Sequence, residues 1–536
     1  MLENYRKNNL FHLRETGVGI VNDVRTRLVP YYVSDFLDAW NYRVIPAVVY
    51  VFFTNLLPAV AFAQDMFDHT ENSYGVNEVL MSSAMGGVVF GLIAGQPLCI
   101  VGVTGPITIF NYTVFNLIRD RDIDYFSFMC WICLWAGLLH TILALLNAVN
   151  FMRYVSKYCC NVFGLFINVV YIQKGIQILT HQFDGGSDVG FASVMVSLVM
   201  CIFGVAANLF GTKSHYLRPT IRKFVADYST PLCVVFFSGF VHFGGKLAGV
   251  RFQHLPITKA FAPTLDSRPN DWFVRFWHGV DVGDVFLALP FGILLTALFY
   301  FDHNVSSLMC QSSDFPLKKP ASFHYDFLLL GITTAVAGLL GIPAPNGLIP
   351  QAPLHTHSLC VQEHDYKTGT DRPVAVVEQR LTNTLQGLMT IGMMTRPLLI
   401  VLHQIPQPVM AGLFWIMGIS ALNENEIINR IRFLCTDPET MRTNPQDYPL
   451  NLRSANRKWL VLFVTFELIA FGFEFGITCT KGAVGFPGVL MFFLGFSCFF
   501  PKIFPPDQLR LLDGPAADDM ILENLRLSKG DEEYEL

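Results

Sequence analysis

The residues in this chain best suited to chemistry are glycines, prolines and amides rather than nucleophiles. Residues 95–106 read Gly-Gln-Pro-Leu-Cys-Ile-Val-Gly-Val-Thr-Gly-Pro, and residues 341–351 read Gly-Ile-Pro-Ala-Pro-Asn-Gly-Leu-Ile-Pro-Gln. Both lie inside long apolar stretches. In the first, residues 99–103 favour an extended strand. Thr104 then suits the N-cap of a helix opening with Gly105 and Pro106, where the missing proline N–H costs nothing. In the second, the Pro/Gly-rich run gives way to a short helix near Pro350. Non-helical backbone at membrane depth is tolerated only where protein or water lines it. A helix that starts in mid-bilayer presents unpaired N–H groups and a partial positive charge, which is a place to hold a small anion. Two ordinary proline kinks would account for each stretch separately. However, Pro106 and Pro350 stand 244 residues apart, close to half the chain, each in the third segment of its half. Matched interruptions of this kind mark the binding site of transporters built from inverted repeats.

Ionisable residues at membrane depth add to this. Asp302 follows an apolar run from Phe286 to Phe301. A carboxylate in a span is a functional residue by default; the alternative is a solvated residue at the cytosolic boundary. Beside an anion site Asp302 can hold a proton or, when ionised, repel a wrong anion. Glu467 and Glu474 share one helical face and suit packing or gating better than substrate binding. Arg396 is expected to snorkel or pair, and Glu378-Gln379-Arg380 to anchor a segment at the cytosolic surface. His355 and His357, two apart on a helix, point away from each other, so no metal is expected. Nor is a cofactor or an enzyme site expected, since no nucleophile–base constellation or phosphate-binding glycine loop is present.

The elements that must position these residues follow from composition. The chain has 536 residues, 52% hydrophobic and 15% charged, with 48 Phe. Average soluble domains carry about 25% charge. The net charge of −5 leaves no basic excess for nucleic acid. Most of the twelve cysteines sit in apolar runs, where a thiol is a small hydrophobe. Fourteen apolar segments recur, at 44–66, 79–95, 99–117, 125–149, 158–180, 191–210, 231–250, 285–303, 326–341, 342–361, 381–403, 407–429, 459–477 and 482–500. A span needs about 20 residues. Of the 37 Lys and Arg, 27 fall on the N-terminal side of this map and 7 on the other, which predicts both termini in the cytosol. The first 43 residues have no apolar core, so no secretory signal is expected. The acidic stretch after Pro505-Pro506 is expected to be a solvated tail.

Several local motifs together resemble the anion-exchanger and bicarbonate-transporter family. They are Asp35-Phe36-Leu37-Asp38-Ala39, Val88-Val89-Phe90, Gln96-Pro97-Leu98, Val101-Gly102, Gly105-Pro106, Phe110, Phe323-His324-Tyr325-Asp326, Glu378-Gln379-Arg380, Ile405-Pro406 and Met417-Gly418. The similarity runs from about 35 to 505. Residues 345–351 are closest to the pattern of the borate-efflux branch of fungi and plants. The resemblance implies an all-α polytopic membrane protein with fourteen transmembrane segments in two inverted seven-segment repeats and half-helices in segments 3 and 10. It implies a cytosolic leader (1–43), a core domain (44–149 and 285–403), a gate domain (150–284 and 404–500) and a cytosolic acidic tail (501–536). It further implies a homodimer through the gate domains, and elevator-like motion of core against gate in the plasma membrane. Asp302 matches the position of the exchangers' transport-site glutamate. Two departures stand out. Asn111 replaces an acid on the third segment's half-helix, and Gln351 replaces the exchangers' arginine at the start of the tenth segment's half-helix. An amide suits a hydroxylated solute, borate or boric acid, better than chloride or bicarbonate. The expected substrate-binding set is Thr104, Gly105, Pro106, Asn111, Asp302, Asn346 and Gln351, with Asp302 carrying a coupled proton. Bicarbonate/chloride exchange on the same scaffold, and a non-transporting membrane scaffold, remain the rival readings.

Overall fold

A computed structural model describes residues 16–516, apart from 215, 244–245, 257–258, 266–267, 269–271, 313–314, 366–369, 438, 440–448, 481 and 515. The elements in chain order are α1 (Val18–Asp23), α2 (Val29–Leu37), α3 (Val44–His69), α4 (Val76–Ile93), β1 (Val101–Gly102), α5 (Gly105–Ile118), α6 (Tyr125–Leu145), α7 (Lys157–Gln182), α8 (Ser187–Lys213), α9 (Pro219–Phe240) and α10 (Val282–Cys310). After them come α11 (His324–Leu340), β2 (Asn346–Gly347), α12 (Gln351–Ser358), β3 (Cys360–Asp365), β4 (Thr370–Val376), α13 (Leu381–Gly392), α14 (Arg396–His403), α15 (Gln407–Glu424), α16 (Glu426–Cys435), α17 (Leu450–Ser454), α18 (Arg457–Thr478), α19 (Phe486–Ser497), α20 (Phe500–Ile503) and α21 (Pro506–Leu512). Among the described residues seven helices are long and apolar enough to cross a membrane.

Three features differ from the sequence expectation. Segment 381–403 is broken rather than continuous: α13 and α14 meet at 85°, because Pro397 starts a new helix within its first turn. The 285–303 segment ends too early: α10 runs on to Cys310, which puts Asp302 well inside a helix rather than at its boundary. Residues 360–365 and 370–376 pair antiparallel as β3 on β4; their loop-like composition carried no strand signal. The stretch from 501 begins with two short packed helices, and Leu512 is buried. The Gly514 carbonyl there accepts the Lys157 N–H.

Helices α4 and α13 pack together and against α3, while α6 packs on α10 and α11. A second group forms around α7, which packs on α15 and α18, with α8 on α9 and α15. Buried apolar side chains run continuously between these helices.

Residues 23–38 are tied to the helices that follow. Asp35 of α2 is fully buried and binds Arg27 (3.0 Å), Lys319 (2.7 Å) and Arg380 Nε (3.0 Å). Arg380 also donates to the Ala94 carbonyl (2.6 Å), closing the end of α4. Asp326 at the start of α11 accepts the Gly95 and Gln96 N–H groups at 2.6 and 2.8 Å, where α4 breaks off. Buried charges are tolerated when paired and hydrogen-bonded. This hub gathers the Asp35, Asp326 and Arg380 motifs into one clamp.

Asp23 belongs to the same clamp. Its Oδ2 accepts the N–H groups of Phe323 (3.0 Å), His324 (2.7 Å) and Tyr325 (3.0 Å), capping α11 from another element. Burial, aided by the nearby Asp326 carboxylate, pushes the Asp23 pKa up to about 7 against those donors. The folded protein thus retains a proton that the unfolded chain, titrating near 3.8, has released. Stability then falls as pH rises between those two values. Asp23→Asn keeps the accepting oxygen and cannot titrate. The melting temperature of the solubilised wild type is expected to drop by several degrees between pH 4 and pH 7.5, and that of Asp23→Asn to drop by distinctly less, the rest of the slope coming from acids such as Asp326, raised to about 6 by burial.

Candidate functional site

Both interrupted segments are non-helical at membrane depth, and each is completed by the other half of the chain. Strand β1 pairs antiparallel with β2, Val101 opposite Gly347 and Gly102 opposite Asn346. The Leu348 N–H donates to the Ile100 carbonyl at 2.9 Å. Groups outside the ladder are met by side chains. Asn383 of α13 donates to the Pro97 and Cys99 carbonyls (3.2 and 3.0 Å) and is itself fixed through Gln386 to Asn55 of α3. Ser82 of α4 donates to the Pro343 carbonyl at 2.5 Å. His355 Nδ1 faces the Leu98 carbonyl (2.8 Å), so it carries the proton, and Nε2 accepts from Thr382 (2.6 Å). That neutral imidazole serves the backbone, and no metal-ligand cluster occurs among the described residues.

The crossing also demands small residues. A Cβ on Gly347 would lie 2.8 Å from the His303 Cα and 3.0 Å from the Ser306 Cβ, both on α10. Only a glycine lets β2 lie against α10 and so puts Asn346 beside Asp302.

Helices α5 and α12 start from this crossing. Thr104 is the extended N-cap of α5, with Pro106 in its first turn, and its hydroxyl makes no capping bond. Gln351 opens α12, its Nε2 donating to the Thr54 carbonyl at 3.4 Å. Asp302 Oδ2 accepts from Asn346 Nδ2 (3.1 Å), and Asn346 Oδ1 accepts the Gly347 N–H (2.8 Å). Within the predicted substrate-binding set four acceptor oxygens are buried without a partner among the described residues: Thr104 Oγ1, Asn111 Oδ1, Asp302 Oδ1 and Gln351 Oε1. Native proteins rarely orphan buried acceptors, so such a set marks a place where something else donates. No basic side chain acts on Asp302 among the described residues. Asn111 stands apart from the rest. It lies six residues, about 9 Å, along α5 from Gly105, its amide against the Met66 sulfur at 3.7 Å.

A family model described as the HCO3- transporter integral membrane domain matches residues 14–187 and 183–517. The chain belongs to this family. Boron transporter 1 of Saccharomyces cerevisiae (strain ATCC 204508 / S288c) is 54% identical over 534 residues, spanning 97% of this chain and 90% of that protein. Probable boron transporter 3 of Arabidopsis thaliana is 27% identical, spanning 92% of this chain and 80% of that protein. In fold, the transmembrane domain of a cyanobacterium bicarbonate transporter BicA is similar, with a TM-score of 0.50 at 13% identity over 80% of this chain and 98% of that one. The chain is therefore an integral membrane protein of a transporter family, and not an enzyme by relation or fold.

Within this transporter scaffold two aromatic groups near the site were not singled out from sequence, and one acid was singled out without its neighbours. Phe62 of α3 and Tyr171 of α7 face Gly105, where a methyl group would touch them at 3.4 and 3.7 Å. Glu474 of α18 is fully buried with both oxygens unpartnered among the described residues, within electrostatic reach of Asp302. Its neighbour Glu467 is instead engaged by Arg430. The 3.6-residue period of α18 placed both acids on one face but said nothing about which element that face meets.

The crossing generates a direct prediction. Gly347→Ala inserts one methyl against α10 backbone and should cost about 1–3 kcal/mol. Its melting temperature in detergent should fall by several degrees and transport by at least tenfold, whereas Gly472→Ala, with open space around it, should match the wild type in both.

Proposed function

We propose that this protein exports borate or boric acid across the plasma membrane by alternating access. One observation carries the reading: two half-helices start within four residues of a paired crossing, beside unpaired acceptor oxygens and, among the described residues, with no guanidinium or ammonium acting on Asp302. The helix termini attract negative charge, while the acceptors ask for O–H donors. Chloride has none and bicarbonate has one. Boric acid and the tetrahedral borate anion carry three and four. The names of the yeast and plant relatives favour the same solute.

In this reading Thr104, Gly105 and Pro106 form one wall of the substrate site and Gln351 the other. Asn346 orients Asp302, and Asn111 lines the path along α5. Asp302 carries the coupled proton, and Glu474 faces it from the opposing helix group. Residues 44–149 and 285–403 move as the core, and residues 150–284 and 404–500 form the gate, through which two copies pair. The closest packing falls within α3, α4 and α13 and within α6, α10 and α11 on one side, and within α7, α8, α15 and α18 on the other, which supports this division. The excess of Lys and Arg on the N-terminal side supports cytosolic termini.

Two experiments test it. Asp302→Asn should reduce boron efflux from expressing cells at least tenfold with unchanged surface abundance; undiminished efflux contradicts the assigned role. In proteoliposomes the wild type should carry borate in preference to bicarbonate. Gln351→Arg should reverse that order, because a fixed cation compensates an anion that brings only one hydroxyl donor. Wild-type bicarbonate or chloride flux exceeding borate flux would establish anion exchange instead.

A further inference from the structure

The substrate reading leaves a buried ionic cluster unused. Phe62 and Tyr171 stack loosely with Phe414 of α15, at centroid distances of 5.9 Å (Phe62–Tyr171), 5.5 Å (Phe62–Phe414) and 6.0 Å (Tyr171–Phe414). This aromatic triangle lies against the α5 N-terminus. Three residues further along both α3 and α7, and so one turn outward on the same facing sides, stand Asp65 and Lys174. Lys174 Nζ donates to Asp65 Oδ1 at 2.9 Å and to the Tyr112 hydroxyl of α5 at 3.3 Å, and it sits 4.7 Å from the Tyr112 ring centroid. Both charged side chains are about 5% exposed. His69 completes the cluster, its Nδ1 at 3.3 Å from Asp65 Oδ1.

The placement gives the pair a meaning. Helices α3 and α5 belong to the group that carries the substrate site, and α7 to the other group. The ends of all three lie together: Glu71 just beyond α3 pairs with Arg119 just beyond α5 at 2.5 Å, and His181 at the end of α7 lies within electrostatic reach of Asp68 of α3. Any path from the α5 N-terminus to those ends along the α3–α7 seam passes first the aromatic triangle and then the ion pair. A buried ion pair suits a latch. While dry, each charge is held by the other, since parting them leaves two unhydrated ions. When water enters, both ions recover their hydration and separation becomes cheap.

We propose that Asp65 and Lys174, braced by Tyr112, form the outer gate of the transporter, and that solute leaves to the exterior only when this pair parts. The proposal rests on the core–gate division and the orientation given above, with the His69 end of α3 facing outside.

The first test is a disulfide. Asp65→Cys with Lys174→Cys should transport when reduced. After oxidation with copper phenanthroline, flux should fall at least tenfold, and dithiothreitol should restore it. Crosslinking confirmed by peptide mass analysis with undiminished flux would overturn the gate. The second test needs neither flux nor knowledge of the solute. It uses Thr104→Cys in a chain whose exposed Cys435, Cys479 and Cys498 are serine. A membrane-impermeant methanethiosulfonate sulfonate reagent added outside should label this cysteine at least tenfold faster once Asp65→Asn and Lys174→Met remove the latch. Unchanged labelling, or acceleration only from the cytosolic side, would overturn the proposal. Absence of borate flux in the wild type with accelerated labelling in the double variant would sink the substrate reading and leave the gate standing.

Discussion

An unpaired peptide group in hydrocarbon costs several kcal/mol, and this constraint organises the molecule. Two stretches of chain give up helical hydrogen bonding at membrane depth, and each survives only because the other half of the chain supplies partners. The short ladder between residues 101–102 and 346–347 answers part of the need. Asn383, Ser82, His355 and Leu348 answer the rest. The breaks, the helices that begin from them and the polar side chains on α3, α4 and α13 are one device, and no part of it is stable without the others.

The same constraint explains the character of the site. Proline and glycine end the hydrogen-bonding of α5 and α12 on the side that faces the crossing, so positive potential comes from backbone dipoles rather than from side chains. The cationic residues described are placed elsewhere. Asp35, Arg27, Lys319 and Arg380 tie the N-terminal segment to the ends of α4 and α11, and Lys174 is neutralised by Asp65. A site built from dipoles, amides and hydroxyls holds an anion weakly enough to release it. Under the proposed function it discriminates by counting hydroxyl donors rather than by net charge.

Much of this was legible in the sequence because proline and glycine act locally. The N-cap at Thr104, the first-turn Pro106 and the helix start beside Pro350 follow from backbone rules that no tertiary contact overrides. Asp302 was legible because a carboxylate in an apolar run needs a reason. The antiparallel crossing was foreseen only as two breaks facing each other; its register depends on Gly347 meeting α10, which no local pattern encodes. The role of His355 depends on the Leu98 carbonyl, 257 positions away in the chain. Lys174 and Asp65 were invisible as a pair for the same reason, since each looked like one stray charge in a different span. The α13–α14 corner was missed because Pro397 reads equally as a kink in a continuous span.

The most direct test of the site is whether purified protein binds boron, and in what form. Boron-11 NMR distinguishes trigonal boric acid from tetrahedral borate by chemical shift. The wild type in detergent should show a bound resonance at one site per chain, lost in Asp302→Asn and in Gln351→Ala, both still folded by circular dichroism. Binding absent from the wild type, or undisturbed in both variants, would contradict a solute held between the two half-helices.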